Sequence, residues 1–514
     1  MKRLLMQLYP FLLATLQILH LAAANPGVVT LDDLGSALAG ILLGCALVYG
    51  VAAAFARGRW GGRLPPLATL MAVVWFFGYG KVANRVALAT GSAPHLILVA
   101  GGVILTFVVV RWLLRRPARL DSLAGFLGLM GGLLAGWLAT EVTIEQLRAR
   151  REIRESALVR RLAQPIAVRS HVAAVAHRPD IYLIVVDGYA NAGVLRERYG
   201  FDNRAFEDSL SHLGFVIPTV HSNYVHTLLS IPSLLNASHL LDLRDDPGPA
   251  STDPTVPNYL VAHSRSTRFL AAQGYEYVFF PSHWWQATRH APDADLEFEV
   301  WPDFRLLREM SRTELRRTLE RGSVLGQFKH DYVIDADYLR GTFAGLARVP
   351  AMPRPTFTFA HLIHPHRPYL FDHECRPAPM PTREARAEPK QAYLDQVVCL
   401  NGLLLALVTT LLRDSPEPPV ILIQGDHGSN TLRYTEDPAA ATKPAAARER
   451  LGAFGAYYLP GGGAQAFGDT VTVVNVLGNV LRFYLGADLP REPDDMYRSL
   501  ERLPYRLRQV TALR

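Results

Sequence analysis

Polar residues follow apolar runs at four places in the second half of the chain. Asp187 follows "DIYLIVV", Asp426 and His427 follow "PVILIQG", His364 and His366 close "TFTFAHLIHPH", and His283 follows "YEYVFFPS". Carboxylates and imidazole are hard or borderline ligands suited to Zn²⁺, Mn²⁺ or Mg²⁺. Asp187, Asp426 and His427 leave room for one more oxygen, and Thr227 in "NYVHTLLSIPSLLN" is placed to supply it. A hydroxyl beside a divalent cation loses its proton more readily and becomes a usable nucleophile near neutral pH. Thr227 reads as lying just ahead of a helix start, whose free N–H groups and dipole suit a phosphate or sulfate. Pro232 fits the same picture as a first-turn proline. Thr227 and Ser230 equally suit the cap of a plain core helix. His283 and His366 are expected to face a substrate and Asn223 to orient the pocket.

Positioning these groups takes a sheet. The four apolar runs read as buried strands, and helical patterns lie between them, notably Tyr393–Leu412. Strands alternating with helices predict a mostly parallel α/β sheet covered by helices on both faces. Ligands bind such sheets at the carboxyl ends of the strands, where all four polar groups fall. The Ala/Pro-rich segment "TEDPAAATKPAAARER" reads as a flexible loop near that edge.

The first part of the chain is different. Five apolar runs, near Leu4–Ala23, Gly35–Ala56, Leu64–Ala83, His95–Leu114 and Leu123–Val142, approach the roughly 20 residues that a helix needs to cross a bilayer. Lys2 and Arg3, then Arg57, Arg59 and Arg63, then Arg111, Arg115, Arg116 and Arg119 flank alternate ends. The loop "NPGVVTLDDLG" carries no lysine or arginine. The positive-inside rule then places the N-terminus in the cytoplasm and everything after the fifth span outside. The first run also has the features of a cleaved signal peptide, and cleavage leaves the outside location unchanged. Residues 1–144 are thus expected to be a transmembrane domain, 145–178 a basic amphipathic connector on the outer membrane surface, and 179–514 a catalytic domain on the periplasmic or extracellular side of a bacterial-type plasma membrane. The net charge of +7 clusters beside the spans, which points to anionic headgroups and away from nucleic acid. Cys375 and Cys399 are compatible with either a disulfide in an oxidising compartment or free thiols.

The motifs in this order resemble the alkaline phosphatase/sulfatase superfamily, and within it the membrane-bound branch of phosphoethanolamine transferases and lipoteichoic acid synthases. "TLLSIP" from Thr227 is similar to the pattern around that branch's phosphorylated threonine. "DHG" from Asp426 resembles its metal-binding Asp-His, and "HRPY" from His366 its substrate-facing histidine. Asp187 stands where the family has an acidic first-strand metal ligand, and His283 resembles a second pocket histidine. The resemblance implies a sulfatase-like domain that uses Asp187, Thr227, Asp426 and His427 to hold a divalent metal. It also implies transfer of a phosphoethanolamine- or phosphoglycerol-like group from a membrane phospholipid to an envelope glycan or lipid through phospho-Thr227. No arginine stands near Leu234, as a formylglycine signature requires, and "DHGSNTLRYTEDP" lacks the glutamate and later histidine common in the transferases. Headgroup and acceptor therefore stay open. Two alternatives remain: a hydrolase of phosphate or sulfate esters on the same scaffold, and a non-catalytic membrane binding module.

Overall fold

The computed structural model describes residues 2–25, 31–56, 62–90, 94–169, 178–282, 286–298, 331–377, 390–440 and 443–510, with a few isolated positions between. The chain divides into two units, one of Met1–Arg151 with Phe304–His330, the other of Glu152–Asp303 with Asp331–Arg514.

Among its described residues the first unit has the helices Lys2–Ala23, Leu31–Phe55, Leu64–Thr90, His95–Leu114 and Pro117–Glu155, the last of which runs on into the second unit. Each is long and apolar enough to cross a membrane. Their outward surface is apolar too: Leu43, Phe55, Leu96, Ile97, Phe107, Leu133 and Trp137 are exposed. Water penalises such a surface, whereas lipid does not. Beyond Leu147, exposed large apolar side chains among the described residues reduce to Val168, Leu296 and Val398. Polar contacts tie the helix ends together. Arg63 pairs with Asp121 at 2.7 Å and Gln7 donates to the Gly62 carbonyl, while Gln146 donates to the Val29 carbonyl. Helix starts and ends thus meet in the alternation that the arginine pattern predicts.

In the second unit the four predicted strands form, together with further strands. In chain order, those of the two larger sheets are β1 Ile181–Val186, β2 Thr219–His221, β3 Glu276–Phe280, β4 Leu296–Glu297, β5 Thr356–Leu362, β6 Val420–Gly425, β7 Gly452–Ala453, β8 Gly455–Tyr458 and β9 Thr470–Thr472; β1, β3, β5 and β6 are the predicted ones. The main sheet has the order β4-β3-β5-β1-β6-β8, parallel except for β8. A smaller sheet has the order β7-β2-β9. Alternate residues of β1 enter two cores. Tyr182, Ile184 and Val186 pack with Val397, Leu400 and Leu404 of the helix Lys390–Asp414. Ile181, Leu183 and Val185 pack with Ile231 and Leu234 of the helix Thr227–Asn236 and with Val476 and Val480 of the helix Val473–Leu485. A strand buried on both faces has no reason to alternate in polarity, and "IYLIVV" does not. The helix Lys390–Asp414 is also long and apolar enough to span a membrane, but one face of it is buried in this core.

Three expectations change. The connector expected to lie on the membrane surface breaks at Ser156, whose hydroxyl caps the short helix Ala157–Ala163 by accepting from the Val159 N–H. Leu158 and Leu162 are buried with Tyr224, Leu229 and Tyr505, so its apolar face covers protein. Pro232 lies in the second turn of the helix Thr227–Asn236, because the helix begins at Thr227 itself. The 435–450 segment is partly a buried helix, Pro444–Leu451, with Ala446, Ala447, Glu449, Arg450 and Leu451 inside. Proline at the first helical position followed by alanines favours a helix, a signal hidden by the segment's Ala/Pro-rich composition. Cys375 and Cys399 are joined in a disulfide.

Candidate metal centre

Register brings the site together. Val186 of β1 aligns with Leu362 of β5 and with Gly425 of β6, so the next residues of all three strands emerge at one edge. Asp187, Asp426 and His427 are buried there, with donor atoms all within 4.8 Å of one another. Thr227 joins them from the first turn of its helix, with Oγ1 3.0 Å from Nε2 of His427. Asn223 is buried, its amide donating to the Asp495 carbonyl and accepting from the Val474 N–H, contacts that hold chain segments together. His366 lines the cleft above the cluster, its N–H bonded to the Asp187 carbonyl. His283 lies outside the described residues.

Backbone groups aim the ligands. Oδ1 of Asp426 accepts from the N–H groups of Gly188 and His427, at 3.0 and 2.9 Å. The hydroxyls of Ser222 and Ser230 both donate to the Asp426 carbonyl at 2.6 Å. Gly188 turns the chain after β1 with φ of +69°, a conformation that favours glycine. At Gly428 a Cβ would sit 2.1 Å from the Glu449 carbonyl oxygen, so only glycine lets these two backbones approach.

The cluster fits a divalent ion. Oδ1 of Asp187 and Oδ2 of Asp426 are buried without a hydrogen-bond partner, a costly arrangement for anionic oxygens unless a cation receives them. Nδ1 of His427 donates to the Gly428 carbonyl at 3.0 Å, which leaves Nε2 with its lone pair toward the carboxylates, 3.2 Å from Asp426 and 3.6 Å from Asp187. Burial, then the charge of Arg450, pushes His427 well below the usual imidazole range, into the neutral form that binds metals. Burial works to raise Asp187, but the charge of His366 and the hydrogen bond of His361 are the largest opposing influences, and the carboxyl is held low. Burial and the charge of Asp187 raise Asp426. Two carboxylates forced together with opposed shifts are what a dication relieves.

Four further residues complete the setting: Ser222, His361, Glu449 and Arg450. His361, the penultimate residue of β5, is buried with Nε2 3.7 Å from Asp187. Glu449 accepts from Ser429, Thr431 and Leu432 and so pins the loop after His427. All four lie in or beside stretches singled out in the sequence, but no residue pattern there marks them as part of a site. They reach the site through the fold.

No family profile matches the chain, and no curated protein matches it in sequence. Solved structures do. The C-terminal periplasmic domain of EptC from Escherichia coli, in complex with Zn, is similar over 67% of this chain and 96% of that one, at 11% identity and a TM-score of 0.44. The integral membrane lipooligosaccharide phosphoethanolamine transferase A from Neisseria meningitidis is similar over 94% of both chains, at 14% identity and a TM-score of 0.39. The lipoteichoic acid synthase LtaP from Listeria monocytogenes is similar over 68% of this chain and 83% of that one, at 10% identity and a TM-score of 0.39.

Proposed function

We propose that the chain is a metal-dependent membrane phosphotransferase that moves a substituted phosphoryl group from a phospholipid to an envelope acceptor through phospho-Thr227. The observation that carries this is the Thr227 hydroxyl, 3.0 Å from Nε2 of His427 at a helix start and beside two buried carboxylates. A bound dication, Zn²⁺, Mn²⁺ or Mg²⁺, would make that hydroxyl more acidic and offset the charge of a phosphoryl group. Asp187, Asp426, His427 and Thr227 would hold it. The first N–H groups of the helix suit the phosphoryl oxygens. The Thr227 hydroxyl gives up its proton as its oxygen bonds to phosphorus, the bond from phosphorus to the diacylglycerol oxygen breaks, and that oxygen takes up a proton. An acceptor hydroxyl then bonds to phosphorus and gives up its own proton, while the bond from phosphorus to Thr227 Oγ1 breaks and Oγ1 is reprotonated. His366, lining the cleft, is placed to move these protons; His283 is proposed beside it from the sequence.

The five apolar helices tether this chemistry to a bilayer, which favours a lipid donor over a freely diffusing ester. The basic ends of alternate spans support a location of the site on the outer side of the plasma membrane. The test is to reconstitute the protein in liposomes of defined headgroup, with and without divalent metal, and to follow diacylglycerol. Release should require metal and vanish in Thr227→Ala, and mass spectrometry should find the substituted phosphoryl adduct on Thr227. Rapid cleavage of aryl sulfates with no phospholipid consumed would instead establish a hydrolase.

A further inference from the structure

The loop that carries His366 has few backbone donors with which to hold itself. Residues 364–370, "HPHRPYL", form neither helix nor strand, and Pro365 and Pro368 have no N–H to give. Hydrogen bonds come instead from the helix Lys390–Asp414. Gln396, in its second turn, is 1% exposed. Its Nε2 donates to the carbonyls of Pro365 and His366, both at 3.1 Å, and its Oε1 accepts from the Leu370 N–H at 2.6 Å. Donors and acceptor of the amide are all used, and a flipped amide would set donor against donor and oxygen against oxygen. No other side chain of this size offers the same set. Glutamate would bring a carboxylate up to two carbonyls, and methionine would leave the buried Leu370 N–H unmet.

His366 itself makes two backbone contacts. Its own N–H donates to the Asp187 carbonyl at 3.0 Å, and its Nδ1 lies 2.9 Å from the Arg367 carbonyl. A carbonyl only accepts, so Nδ1 carries the proton and the lone pair of the neutral ring is on Nε2. Both contacts depend on the path of the 364–370 backbone, which Gln396 ties at three points. The loop after Asp187 has a separate brace. Tyr393, one turn earlier on the same helix, donates to the Gly188 carbonyl at 2.9 Å and accepts from the Ala190 N–H at 3.1 Å. Cys399, about one turn later, is joined to Cys375 beyond the far end of the His366 loop. The helix thus grips the ligand loop and the histidine loop through different side chains, and one grip can be released while the other stays.

We propose, resting on the transfer described above, that Gln396 is a positioning residue that acts through His366. Its amide keeps the imidazole where the diacylglycerol oxygen and the acceptor hydroxyl exchange their protons. The test uses the full chain in liposomes of phosphatidylethanolamine and phosphatidylglycerol. Diacylglycerol release is followed at saturating lipid, and Zn²⁺ affinity is measured against a chromophoric chelator. His366→Ala should slow release by about a hundredfold or more, the usual worth of a positioned acid–base group. Gln396→Met should slow it by about tenfold or more, as a displaced group does, with Zn²⁺ affinity unchanged. The two substitutions together should be no slower than His366→Ala alone, because Gln396 then has nothing left to position. A mere brace would add its own loss to that of His366→Ala. Gln396→Glu keeps the bond from Leu370 and loses the other two, and the same cycle built on it decides the matter if the methionine variant does not fold. Additive losses, a wild-type rate in the Gln396 variants, or Zn²⁺ affinity falling in step with the rate would each overturn the proposal. A wild type that releases no diacylglycerol, or a His366→Ala variant as fast as the wild type, would overturn the transfer reading and the proposal with it.

Discussion

At the scale of single residues, the site is a set of donors whose cost is met only together. Asp426 shows this best: its carbonyl and one carboxylate oxygen are satisfied by serines and backbone, and its other oxygen is left for a cation. Asp426→Ala should therefore abolish bound divalent metal and lipid turnover while the domain stays folded, measured by elemental analysis beside circular dichroism. Full metal content in the variant would remove Asp426 from the ligand set. His221, at the end of β2, is a residue whose burial affects stability. Its Nδ1 is buried without a hydrogen-bond partner, and burial lowers its pKa against a smaller opposing pull from Asp494. The unfolded chain takes up the proton first as pH falls through about 6.5, so the stability this neutral ring contributes is present above that pH and lost below it. The thermal midpoint should drop between pH 7.5 and 5.5, and by less in His221→Asn. An equal drop in both would acquit His221.

At the scale of elements, the short helix Pro444–Leu451 acts as a clamp on the segment after His427. Glu449 accepts four hydrogen bonds from residues 429–432, so Glu449→Ala leaves buried donors unsatisfied and should cost about 2–4 kcal/mol. Metal affinity should fall in the same variant, because the loop begins beside His427. A metal titration that matches the wild type would show that the ligands stay in place without the clamp. The disulfide Cys375–Cys399 links the segment after β5 to the long helix beneath the sheet, across a sequence separation of 24 residues. Cys399→Ser should lower stability by ~3 kcal/mol on the chain-entropy account. A melting curve unaffected by the substitution would mean that the bond constrains little.

At the scale of the whole molecule, the prediction is one of sidedness. Arg63 and Asp121 pair at one set of helix ends, and Gln146 meets the Val29 carbonyl at the other, so the five spans alternate as the charge pattern requires. Alkaline phosphatase fused after Val168 should be active and a cytoplasmic reporter at the same point silent. The reverse result would turn the protein over and put the site inside the cell.

What the sequence determined by itself is whatever depends on local pattern. Twenty-residue apolar runs can only be satisfied by lipid or a large core, and "IYLIVV" and "VILIQG" can only be satisfied between two layers of helices. The chemical character of Asp187, Asp426, His427 and Thr227 was readable as well, since carboxylate, imidazole and hydroxyl have few joint uses. The tertiary structure decided the rest. That Asp187 meets Asp426 and His427 follows from the parallel register of β1 and β6, and Thr227 reaches them from a separate helix, which no local window contains. Nor does the 435–450 segment announce that its helix buries Glu449 against residues 429–432 and Arg450 against His427, because alanine-rich composition favours a helix without saying what the helix packs on. Leu158 and Leu162 make the same point in reverse: an apolar stripe fixes that a face will be covered, and only the fold determines whether lipid or protein covers it.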